Sequence, residues 1–129
     1  MPRRHAATFG QTLLRQAVPI GGQMHYLTAT EMLELLRTRQ VSAVELLEAH
    51  LRRIEEVNPA VNAIVTLTAE RARREAEEAD RDLARGHWRG PLHGLPVAHK
   101  DLADTAGIRT TYGSRSQLLP LPLHLLLLH

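Results

Sequence analysis

The residue best placed to do chemistry in this chain is Lys100. It ends the run Gly94-Leu95-Pro96-Val97-Ala98-His99-Lys100 and is followed at once by Asp101. Such a pair is ordinarily a solvent-exposed ion pair. Downstream, Thr105-Ala106-Gly107-Ile108-Arg109-Thr110-Thr111-Tyr112-Gly113-Ser114 is dense in glycine and threonine and reads as a loop. Functional groups concentrate on loops held by regular elements. The serines are Ser42, Ser114 and Ser116. Ser42 stands three residues before Glu45 and reads as a helix cap rather than a nucleophile. His87, His93 and His99 fall six apart, with His50 upstream. That spacing matches neither an i, i+4 helical pair nor a compact zinc pattern, so they read as scattered surface histidines and no metal is expected. The chain has no cysteine. A disulfide framework, a Cys-based zinc site and a thiol nucleophile are thereby excluded, and a reducing cytoplasm is the fitting compartment.

The run from Gly94 to Ser114 resembles a stretch of the amidase signature family. There a G-[IL]-P-[VI]-x-x-K-D strand presents a catalytic lysine, and a T-x-G-[IV]-x-T-T-x-G-S loop follows. The likeness extends upstream through Leu27-Thr28-Ala29, Val41-Ser42-Ala43-Val44-Glu45-Leu46, Arg53-Ile54-Glu55, Asn58-Pro59 and Asn62-Ala63-Ile64-Val65, so it spans Leu27 to Ser114. It implies an α/β fold, a mixed sheet wrapped by helices, of which this chain would hold the entry helices and first strands. It also implies a Ser–cis-Ser–Lys relay that hydrolyses a small-molecule amide or transfers its nitrogen, without a cofactor, with Lys100 as the catalytic base. An ammonium cannot accept a proton, so such a site must favour the neutral amine by desolvation or nearby positive dipoles. The family's two serines lie downstream in a Gly-Ser-rich segment, and this chain has no such segment. Ser114 matches the family's Gly-Ser turn, which is not the nucleophile. Members of a catalytic relay do not substitute for one another. The expectation is therefore a truncated or frameshifted amidase, inactive alone. The alternative is a non-catalytic helical module that binds a partner, such as the other half of a split amidase.

The elements that must position Lys100 are signalled clearly. Thr28 with Glu31, and Ser42 with Glu45, make two capping boxes. Behind the second, Val44, Leu47, Leu51 and Ile54 repeat at helical steps, and Asn58-Pro59 is expected to stop that helix. Val61 to Leu67 is rich in β-branched residues and predicts a strand, as does Val97 to Lys100. Thr68 is expected to cap a third helix, and Gly86 to end it. In that helix Ala69, Ala72, Ala76, Ala79 and Leu83 form a narrow small-residue stripe. The charges around it, Asp80 and Asp82 among them, read as a solvated face laced by i, i+4 pairs such as Glu70–Arg74.

Composition sets the remaining bounds. The chain has 129 residues, enough for one modest domain, with 43% hydrophobic residues and only Phe9, Tyr26, Trp88 and Tyr112 as aromatics. A thin core of Leu, Val, Ile and Ala is expected. The net charge of +2 and scarce aromatics argue against nucleic acid. The leucine run Leu118 to Leu128 is interrupted by Pro120, Pro122 and His124 and falls short of the roughly 20 apolar residues of a membrane span. Residues 1–25 contain no acid and carry Arg3, Arg4 and Arg15. They read as a non-native start before Met24, or as a transit peptide. The organisation expected is thus an extension over 1–25, a partial amidase domain over 26–115 and a low-complexity Leu/Pro tail over 116–129. Unpaired strand edges in the partial domain would favour self-association.

Overall fold

A computed structural model describes residues 23–114. The N-terminal extension before Gln23, the Leu/Pro tail and Ser116 lie outside the described residues. A 3-10 turn at Met24–Tyr26 leads into α1 (Ala29–Arg37), α2 (Ala43–Val61) and α3 (Ala69–Ala84). The chain from Arg85 to Ser114 follows as turns and extended segments.

Both capping boxes form. The Thr28 hydroxyl accepts the Glu31 N–H at 3.3 Å, while Glu31 accepts the Thr28 N–H at 2.7 Å. Ser42 and Glu45 repeat the exchange at 3.1 and 2.9 Å. In each box the carboxyl is held below the usual glutamate range, chiefly by the N–H of the cap residue and then by its hydroxyl. The ends are as specific as the starts. Gly86 takes a left-handed backbone, its N–H donates to Leu83 C=O, and the His87 N–H reaches Asp82 C=O, a Schellman ending for α3. At the end of α1 the left-handed position is filled by Arg39 (φ 56°), and the same pair of bonds forms to Leu36 and Leu35. The Arg39 guanidinium then donates to Leu83 C=O at 2.7 Å, so the turn after α1 also satisfies the end of α3.

α2 packs on α3 and on the 3-10 turn. The core is leucine and alanine: Leu35, Leu36, Leu46, Leu47 and Leu51 face Ala43, Ala49, Ala76 and Ala79, with Met24 and Val41 closing it. Among the described residues only Leu36 and Leu46 are large side chains with almost no exposure, 1% each. The alanine stripe of α3 is what lets α2 approach.

Four expectations are corrected. α2 does not stop at Asn58-Pro59 but continues to Val61 and ends with Asn62 in the left-handed conformation. A proline disfavours helical geometry in the residue before it without forbidding it. Here Asn58 offsets the cost by clamping the exit: its Oδ1 accepts the Ile64 N–H at 2.8 Å and its Nδ2 donates to Ile64 C=O at 3.0 Å. Thr68 occupies the cap position of α3, yet its side chain makes no capping bond. Neither expected strand forms. Val61 belongs to α2, residues 62–67 and 97–100 run without a ladder, and the described residues contain only an isolated bridge between Thr105 and Ile108. A strand is held by cross-strand partners more than by its own propensity, and these segments have none among the described residues. Val65, Leu67 and Val97 accordingly stay exposed. Finally, the charged face of α3 is not all solvated: Arg73 pairs with Glu48 of α2 at 2.6 Å, and Asp80 caps α2.

Candidate active site

Lys100 is placed by the turn that precedes its segment. Trp88 packs against the core and stacks on His93, ring centroids 4.6 Å apart. His93 is buried. Its Nδ1 accepts the Arg89 N–H at 3.1 Å, which leaves Nε2 to donate to Ala79 C=O at 3.1 Å. His93 therefore pins this turn onto α3 and is not a surface histidine, a correction to the reading from spacing. His87 does not share its surroundings, whereas His50 and His99 line one open groove together with it. His50 lies against Leu46 C=O, while His87 is exposed beside Asp82. Among the described residues no group of three His, Cys, Asp or Glu could hold a metal ion.

Next comes Gly94, at φ 74°. A Cβ there would stand 3.1 Å from Ala43 Cβ and 3.3 Å from Leu36 Cδ1. The backbone thus rests directly on the junction of α1 and α2, which only glycine allows. From that anchor Leu95 packs on the core and Pro96 to Lys100 run out extended, to an exposed lysine. Lys100 is the only lysine among the 129 residues, against fifteen arginines. This is a sequence signal in its own right, since every other cationic position is a group that cannot serve as a base.

The expected Lys100–Asp101 ion pair is absent. Asp101 instead accepts the Thr111 N–H at 2.7 Å, the Thr111 hydroxyl, and the Gly113 N–H at 3.5 Å. These bonds, the Thr111 hydroxyl foremost, hold its carboxyl below the usual aspartate range. The far side of the loop is closed by Tyr112, which has φ 51° and donates its hydroxyl to Asp104. That bond raises the phenol above its usual value. Two outside contacts fix the loop. Arg71 of α3 donates to Ala106 C=O at 3.1 Å, and the Thr66 hydroxyl to Arg109 C=O at 3.4 Å. Ser114 ends the loop in a turn, its N–H on Thr111 C=O. Between this loop, residues 63–69 and the α2–α3 face lies an open groove of about 960 Å³. Leu47, Leu51, Ile54 and Ala72 line its apolar wall, and Lys100 stands on its rim.

A family model described as Amidase matches residues 45–119, which include both Lys100 and the loop closed on Asp101. The chain belongs to the amidase family. Members of this amidase signature family have α/β domains in general. Among curated relatives, a glutamyl-tRNA(Gln) amidotransferase subunit from Carboxydothermus hydrogenoformans is 46% identical over 93 residues, 72% of this chain and 19% of that protein. An amidase of Pseudomonas putida is 44% identical over 88 residues, covering 68% and 19% respectively. An acylamidase of Rhodococcus erythropolis is 40% identical over 92 residues, covering 71% and 19%. The chain thus spans about a fifth of the length of these relatives. No solved structure matches it.

Proposed function

We propose that this chain carries the lysine part of an amidase active site, with Lys100 as the base that relays a proton from a serine pair toward a small-molecule carboxamide. The observation that carries this reading is the state of Lys100 itself. It is the chain's only lysine, it ends the Gly94–Lys100 run inside the amidase match, and no carboxylate among the described residues neutralises it. Base chemistry at an exposed amine needs further surface over the rim to desolvate it. Of the serines, Ser42 is engaged as the cap of α2. We therefore infer that the 129 residues alone do not hydrolyse amides, and that the Ser–cis-Ser part of the relay must be supplied from outside them.

A second reading has one observation in its favour. The apolar groove wall and the exposed Val65, Leu67 and Val97 form a surface suited to a complementary chain, as one half of a split amidase would need. Self-association through the same segments is the competing use of that surface. No nucleic-acid or membrane role is proposed. None of the described helices is long and apolar enough to cross a membrane. A cytoplasmic location belongs to the proposal and rests on the lack of cysteine. The test is hydrolysis of simple amides by the purified chain and by Lys100→Ala. Equal background rates are expected, and Lys100-dependent turnover would overturn the inference of inactivity.

A further inference from the structure

We propose that Asp101 is a positioning residue for Lys100: its carboxylate is spent on closing the 101–114 loop and is thereby kept off the neighbouring amine. The inference rests on the reading of Lys100 as a base and adds how the fold would keep it available. An adjacent aspartate is the obvious partner for an exposed lysine, and a carboxylate resting on the amine favours the ammonium. The structure directs that carboxylate elsewhere. One oxygen takes the Thr111 N–H, and the other takes the Thr111 hydroxyl and, at longer range, the Gly113 N–H. Bonds to an ionised acceptor are stronger than neutral ones, so the loop outcompetes a solvent-exposed ion pair. The same closure fixes the lysine backbone. Lys100 C=O accepts the N–H of Leu102 at 2.7 Å and of Ala103 at 2.9 Å, turning the chain immediately after the lysine. Ala103 C=O then receives the Thr110 hydroxyl at 3.2 Å, and Arg71 ties the loop to α3. Lys100 is thus joined to a helix through a hydrogen-bonded loop whose first link is Asp101.

The full chain supplies a clean readout, because an amine-reactive acetylating reagent can modify only Lys100 and the N-terminal amine. Thr111→Val removes the hydroxyl donor and leaves the charge at 101. The carboxylate oxygen released from that hydroxyl should pair with the amine and slow acetylation of Lys100 about threefold, the scale of a surface ion pair. Adding Asp101→Asn to that variant should restore the wild-type rate, while the amides of positions 111 and 113 exchange about tenfold faster in both, the loss of one charge-assisted bond. A merely structural role for Asp101 predicts the same change in Lys100 labelling in both variants. That result, or an unchanged rate in Thr111→Val, would overturn the proposal. Amide hydrolysis does not enter the measurement, so it can fail while Lys100 remains a base, and the reverse.

Discussion

The carboxylate of Asp80, on α3, accepts the N–H of Ala43, the first residue of α2, at 2.7 Å. Its second oxygen takes the Val44 N–H at 3.1 Å. With Ser42 on the Glu45 N–H, the first three amides of α2 are satisfied, two of them from another helix. A cap carried by a neighbour couples helix formation to helix packing, since neither helix end is complete until α2 and α3 meet. Arg39 on Leu83 C=O does the same for the C-terminal end of α3.

Asp80→Ala is therefore expected to cost about 1–2 kcal/mol, the range of a lost N-cap. Thermal or urea unfolding of the two chains measures it. A surface carboxylate with no tertiary role would change stability by less than about 0.5 kcal/mol.

Two glycines with nearly the same backbone should respond differently to alanine. Gly86 (φ 78°) has nothing among the described residues within 4 Å of where a Cβ would lie, so Gly86→Ala carries only the left-handed backbone penalty of about 1 kcal/mol. Gly94 (φ 74°) carries the same penalty plus a 3.1 Å clash with Ala43 Cβ. Gly94→Ala should thus be the more damaging by about 1 kcal/mol or more. Paired unfolding curves give the comparison.

The pH dependence of the loop follows from Asp101. Its carboxyl is lower in the folded chain than in the unfolded one, chiefly through the Thr111 hydroxyl and then the Thr111 N–H. The stabilisation is therefore complete above the ordinary aspartate value of about 3.9 and is lost as the pH falls below it, through the lowered folded value. Glu31, Glu45 and Glu48 are lowered too and add to the same acid loss. The Thr111 amide resonance should hold steady from neutral pH to about pH 5 and move only in more acid solution. A transition near pH 6 to 7 would show that Asp101 is not the group that holds the loop.

What is legible in the sequence is what depends on near neighbours. The two capping boxes and the Gly86 ending involve residues at most five apart, and their side-chain chemistry specifies them without a fold. Lys100 is legible through its flanking residues and their likeness to a family. Long-range partnerships are not. Asp80 sits among Glu77, Glu78 and Asp82 with nothing local to single it out, and its role exists only because α2 begins beside it. His93 escapes a reading from spacing because its partners, Ala79 and Arg89, are set by how the turn folds on α3. The strands fail for the complementary reason: β-branched residues at 61–67 state a preference that only a neighbouring strand can realise. Pro59 shows a local rule overridden, its cost offset by the Asn58 clamp on Ile64.

Lys100 is the residue on which the proposed function turns, and a transplant tests it most directly. Residues 27–114 of this chain would replace the matching segment of an active amidase family member whose own serines are retained, and amide hydrolysis would be measured with and without Lys100→Ala. A base at Lys100 predicts turnover that falls at least about a hundredfold in the Ala variant, the scale of a lost general base. A Lys100→Ala chimera that hydrolyses amides as fast as its parent would contradict it.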